Sequence, residues 1–260
     1  MLLIREDQLE MFRRRARARF DGELARHFLA TYPYECREAG GEAAVLELVH
    51  QGVGRAAEHG YTIQNQAGLY IGLTFMLGVD FDSDPQIPWA GRGLDDESVE
   101  DPQERILRLY TTAVDYLRAT AGDGCRHLVR ALVRIKGFDL RSVPEPRGES
   151  WETNLLKRLR TFFPEKYDFQ GEEANRALVR QAGTAVEDLG LEGERAVTAV
   201  GTLMFMMGAG FGHDPLYPWA ARALAEGGAE AERVDRLHRE AVAHLERSLA
   251  SGKPEGEGRP

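Results

Sequence analysis

The sequence predicts an all-α protein made of two tandem, pseudo-symmetric helical bundles, and three observations predict it. Apolar residues recur every three or four positions and no run alternates with period two, which is the spacing of a helix face and not of a strand. The segment from Phe75 to Leu94 aligns without gaps on Phe205 to Leu224, with eleven of twenty positions identical at a constant offset of 130. Self-similarity at a fixed period marks a structural unit used more than once. The chain has 260 residues, 43% hydrophobic and 29% charged, an ordinary globular composition with enough length to bury an apolar core without disulfides or metals.

The elements follow in order. Leu9, Phe12, Ala16, Phe20, Leu24 and Phe28 form one stripe of a first helix, which Pro33 stops. Glu42 to Glu58 reads as a second helix ended by Gly60, and Thr62 stands as the N-cap of a third that runs to Leu77. That third helix is apolar on nearly every side, as is its counterpart from Ala196 to Met207, so each is expected at the buried centre of its bundle. Asp101-Pro102 places an N-cap and an N1 proline ahead of a last helix with Ile106, Leu109, Ala113 and Leu117 inward. Val234, Leu237, Ala241 and Leu245 are its counterpart in the second half. The 130-residue register also joins Gly41-Glu42 to Gly171-Glu172, Leu48-Val49 to Leu178-Val179, Gln51 to Gln181 and Gly60 to Gly190. With a slip of one residue, Thr31-Tyr32-Pro33 matches Phe162-Phe163-Pro164. The second half differs at its start, where Cys125 to Ile135 is helical, Ser142 to Gly148 interrupts, and Trp151 resumes, so its first helix is split. The expected domains are 1–121 and 122–250, meeting near Ala121-Gly122-Asp123-Gly124, with a disordered polar tail over 251–260.

The repeated signature first has a structural explanation. Asp84-Pro85-Gln86-Ile87 suits a tight turn, and Pro88 can open a short helix carrying Trp89, Arg92 and Leu94. Phe81 and Trp89 would then bury apolar area while Asp84 satisfies backbone donors, with Phe211, Asp214, Trp219 and Arg222 doing the same in the second copy. Residues kept in both copies are more simply explained by a shared fold than by two active sites.

Sites with chemistry were sought and none is complete. Asp80, Asp82 and Asp84 copy the opening of a calcium loop, but Pro85 replaces its glycine, Gly91 its last glutamate, and Gly210 and Gly212 its carboxylates in the second copy. Gly52-Val53-Gly54 imitates a dinucleotide fingerprint inside a helix, where close helix packing uses small residues better. Arg13, Arg14, Arg15, Arg17 and Arg19 could grip phosphate, yet a net charge of −9 weighs against nucleic acid, and the cluster reads as a solvated helix face. His238 and His244 are six apart, too far round a helix for a zinc pair, and His213-Asp214 is the one titratable pair inside the signature. No metal or cofactor is expected. Cys36 and Cys125 read as two free, buried thiols, and the most apolar stretch, Leu69 to Val79, is about half of what a bilayer span needs, so the chain is placed in the cytoplasm.

Ile4-Arg5-x-x-Gln8-x-x-x-Phe12, the helix around Gly52 to Gly60, and Leu77-Gly78-x-x-Phe81-Asp82-x-Asp84-Pro85-x-x-Pro88-Trp89-Ala90 carry a resemblance. They resemble small helical accessory proteins encoded beside the spike and effector genes of bacterial type VI secretion systems. The likeness covers most of the first half and, more thinly, Trp151 to Leu224, and it departs at Gly210 and Gly212. It implies a non-enzymatic protein-binding role, as an immunity protein or adaptor for a secreted toxin, with a toxin or spike component as partner. The rival expectation is a hydrolase or metal-dependent enzyme with a pocket beside Asp82, His213 and Asp214.

Overall fold

The structure is a computed structural model that describes residues 5–144 and 150–251, and among them there is no strand. The helices are α1 (Glu6–Thr31), α2 (Pro33–Ala39), α3 (Glu42–Glu58), α4 (Gln64–Leu77), α5 (Pro88–Leu94), α6 (Pro102–Ala121) and α7 (Arg126–Lys136). They continue as α8 (Trp151–Phe162), α9 (Pro164–Gln170), α10 (Glu172–Asp188), α11 (Gly193–Met207), α12 (Pro218–Ala225) and α13 (Glu230–Ser251). Helices α3 and α10 share their first and last positions at a spacing of 130, as do the first positions of α5 and α12.

Local chemistry sets many of these boundaries. Proline occupies the first turn of α2, α5, α6, α9 and α12, where its missing N–H has no intrahelical partner to lose. Asp101 caps α6, its carboxylate accepting the Gln103 N–H at 3.0 Å. Ile63, not Thr62, is the N-cap of α4, and no side chain caps that helix end. Pro33 ends α1 and at once begins α2. The apolar segment that restarts the second half is two separate helices, α7 and α8, packed on each other. Between them Leu140–Ser142 makes a 3₁₀ turn with the Asp139 carboxylate on the Arg141 N–H. Residues 145–148 of the expected interruption lie outside the described residues, as does the expected tail beyond Ser251.

Two apolar clusters result. In the first, Tyr70, Ile71 and Leu73 of α4 are enclosed by Leu48 and Val49 of α3 and by Ile106, Leu109 and Ala113 of α6. In the second, α11 is surrounded by Leu155 and Leu159 of α8, Leu178 and Val179 of α10, and Val234 and Leu237 of α13. Burying each such side chain is worth about 1.5–3 kcal/mol, which is why the helices that are apolar all round sit at the centres. Gly52 lets α3 approach α4 closely, since a Cβ there would stand 2.7 Å from Ile71 Cγ1, whereas Gly54 faces open space and serves no packing.

Two expectations about burial are corrected. The stripe of α1 is buried only from its C-terminal half: Ala25 and Phe28 are core, Phe20 and Leu24 are half-buried, and Leu9 and Phe12 are exposed, because none of the described residues covers them on the outer turns. Cys36 is a buried free thiol, but Cys125 is free and exposed, at a left-handed φ of 58° in the bend before α7.

Candidate functional site

The signature loops leave α4 and α11 at Gly78 and Gly208, both with φ near +100°, a conformation open to glycine alone among ordinary residues. Here the two halves touch. A Cβ on Gly78 would stand 3.0 Å from the Met207 carbonyl oxygen, and one on Gly208 would stand 2.9 Å from that of Leu77. Each loop then turns on its aspartate. Asp84 Oδ1 accepts the Gln86 N–H at 2.8 Å while its Oδ2 accepts the Ala209 N–H across the junction at 2.9 Å. Asp214 does the reciprocal thing, with Leu216 N–H on Oδ1 at 2.8 Å and Val79 N–H on Oδ2 at 3.1 Å. Burial raises both carboxyls, Asp214 to about 6, against the pull of these donors.

The other signature residues are placed as follows. Phe81 and Phe211 are buried, Trp219 is buried and stacks on His244, and Trp89 is only half-buried beside Tyr116. Arg92 and Arg222 point to solvent. Phe81 and Phe211 are thus buried alike, whereas Trp89, unlike Trp219, leaves part of its indole uncovered.

A polar cluster gathers around Arg55, to which none of the sequence motifs assigns a role. Its Nη1 donates to the Val79 carbonyl at 2.7 Å and to Asp80 Oδ1 at 2.8 Å, and its Nη2 donates to Asp82 Oδ1 at 2.7 Å. Tyr70 OH donates to Asp82 Oδ2 at 2.6 Å, and His213 Nε2 reaches across from the second half to Asp80 Oδ2 at 2.8 Å. That bond raises the His213 imidazole and lowers the Asp80 carboxyl. Two of the three carboxylates that copied a calcium loop, Asp80 and Asp82, are thus paired with a guanidinium, and Asp80 with an imidazole as well. Positions 130 further on hold Ala185, Val200, Gly210 and Gly212, so the cluster exists once. Gly210 has a steric reason, because a Cβ there would stand 2.6 Å from Asp80 Oδ2. His213 and Asp214 are adjacent in sequence but serve different partners, Asp80 and the Val79 N–H.

A cavity of about 200 Å³ lies between the halves, bounded by Asp84, Gln86, Tyr116, Phe163, Met207 and Lys166. Lys166 of α9 is buried, and its ammonium donates to the Phe205 carbonyl near the C-terminus of α11, where a cation complements the helix dipole. Burial pushes its amine down to about 8, against the attraction of Asp84. Gln86 Nε2 donates to the neighbouring Met204 carbonyl at 2.8 Å and to Asp84 Oδ2 at 3.1 Å. Lys166, Gln86 and Asp84 are therefore engaged with helix ends and turns. Sequence reasoning missed Lys166 and Gln86; one of only four lysines, two positions after Phe162-Phe163-Pro164, was the available signal.

A search of protein-family models, of characterised proteins and of solved structures found no match to this chain. Among the described residues no helix is long and apolar enough to cross a membrane, and no group of three or more His, Cys, Asp or Glu side chains could hold a metal ion.

Proposed function

We propose that the chain is one helical bundle used twice in tandem, at an offset of 130 residues, and that it acts in the cytoplasm by binding another protein without catalysing a reaction. The observation that carries the binding role is the outer part of α1. Leu9, Met11 and Phe12 are 40%, 45% and 56% exposed on turns that no other element covers among the described residues. Leu9 and Phe12, three positions apart, share one helix face, with Met11 further round, and large apolar side chains left exposed favour a partner that buries them. The tandem reading is supported by the matched bounds of α3 and α10 and by the reciprocal bonds of Asp84 and Asp214. The narrower role, an immunity protein for a secreted toxin or an adaptor that loads one onto a type VI spike, rests on the sequence resemblance alone. The enzyme alternative has one observation in its favour, a lysine of lowered pKa beside a cavity.

The test is recovery of the tagged chain from its own cell, with mass spectrometry of what comes with it and light scattering of the complex. The expected result is one stoichiometric partner that is lost in the Leu9→Asp/Phe12→Asp double variant at unchanged melting temperature. A chain that returns alone and monomeric, under conditions that preserve weak complexes, overturns the binding role.

A further inference from the structure

We infer that the groove between α1, α4 and α6 is a docking site for a short apolar segment of a different protein, carrying an aromatic side chain flanked by aliphatic ones and by carboxylates. This rests on the tandem, protein-binding reading above. The groove encloses about 410 Å³ and is walled by Phe20, Leu24 and Tyr110 over a floor of Gly68, Leu69 and Gly72.

The second half shows what such a groove holds. Positions 130 beyond that floor are Thr198, Ala199 and Thr202, and His238 takes the place of Tyr110 in the register that pairs Ile106, Leu109 and Ala113 with Val234, Leu237 and Ala241. There the corresponding space shrinks to about 20 Å³, because Ile135, Phe138 and Leu140 of the segment after α7 fill it. Ile135 and Leu140 are buried, and Phe138 meets Phe162 edge to face at a centroid distance of 5.1 Å. Among the described residues the first half has no such segment: α1 packs on α3 and meets α4 near its C-terminal end, where Phe28 stacks on Phe75 at a centroid distance of 4.2 Å, and the space beside Gly68 and Gly72 stays open. One groove is thus filled by the chain itself and its counterpart is open.

The surroundings of the open groove select the occupant. Ile63 beside its floor and Leu107 one turn before Tyr110 are exposed, adding apolar surface to a rim that also carries Gln64 and Asn65. Along α1 the groove face continues from Phe20 to Arg17 and Arg13 at helical spacing. Arg17 is paired with Asp21, but Arg13 makes no ion pair among the described residues, so a carboxylate on the incoming segment would be met. A second copy of α1 is disfavoured as the occupant, since it would bring five arginines between 13 and 19 against the same five.

The probe is a fluorescent peptide of residues 134–143 in which R134E, K136E and R141E replace the basic side chains, titrated into the full chain and followed by anisotropy. Saturable binding below about 1 mM is expected, weakened at least about fivefold by F138A in the peptide and by Arg13→Glu in the chain, the latter a loss of electrostatic attraction. Gly68→Leu should abolish it at unchanged melting temperature, because a Cβ at 68 meets only Leu24 Cδ1 at 3.8 Å and a longer side chain enters the groove. No saturable binding, or binding indifferent to Gly68→Leu, overturns the proposal; so does a dimer of the chain that Gly68→Leu dissociates. If the peptide fails while the chain still recovers a stoichiometric partner from its cell, the groove assignment falls and the protein-binding role stands.

Discussion

Asp84 and Asp214 hold each other's loops: the carboxylate of each accepts a backbone N–H that follows the glycine leaving the opposite central helix, at 2.9 Å from Ala209 and 3.1 Å from Val79. With its second oxygen each also closes its own turn. Asp84→Ala or Asp214→Ala would orphan two backbone N–H groups, at about 1–3 kcal/mol for each that stays buried. Urea denaturation should give a loss of about 2 kcal/mol or more for either variant, with an unchanged m-value. A loss below about 0.5 kcal/mol for both, the level of ordinary surface substitutions, would remove the bracing role.

Gly208 is bound by space as well as by conformation. Its φ of +100° strains any L side chain, and a Cβ would meet the Leu77 carbonyl oxygen at 2.9 Å, a backbone atom that cannot step aside alone. Gly208→Ala is therefore expected to destabilise by about 2 kcal/mol or more, and Gly78→Ala, at 3.0 Å from Met207 O, by a similar amount. Alanine at the open, right-handed Gly54 should be neutral or slightly stabilising, and thermal melts of the three variants side by side decide the matter.

The two signature tryptophans are not equivalent. Trp219 is buried against His244, whereas Trp89 is half-buried, so Trp219→Ala should cost about 3–5 kcal/mol and Trp89→Ala markedly less. Equal losses on chemical denaturation would contradict the asymmetry.

Lys166 predicts an alkaline effect of definite sign. Its folded pKa of about 8 lies below the unfolded 10.5, so between those values the unfolded chain binds the extra proton and stability from this group rises with pH. Lys166→Met deletes that slope and leaves a pH-independent cost at the Phe205 carbonyl. The stability of the wild type relative to the variant should therefore grow from pH 8 to 10.5, by about 3 kcal/mol at most. A flat difference across that window would mean that the amine keeps its ordinary pKa in the folded state.

The helices were legible because each signal was local. The span Glu42 to Glu58, the Asp101-Pro102 start of α6 and the turn at Asp84 depend on residues within a few positions of one another, and all three stand as the pattern predicts. Leu9 and Phe12 were misplaced because periodicity says which face of a helix is apolar and not whether anything packs there. The cluster at Arg55 was not legible, since its partners Asp80 and Asp82 lie 25 and 27 residues away on a loop whose path the helix pattern does not supply. The replacement of its partners together by Val200, Gly210 and Gly212 in the second copy was the trace it left.

The crossed carboxylates also bear on how the molecule comes apart. Releasing either signature loop strands polar groups of the other inside an apolar junction, so a state with one cluster melted and the other intact carries the cost of both. Leu216, which belongs by sequence to the second half, is packed in the apolar cluster of the first, and adds to the same coupling. Heat should therefore unfold the two clusters as one cooperative unit, with a calorimetric enthalpy matching the van't Hoff value, although each has a core of its own.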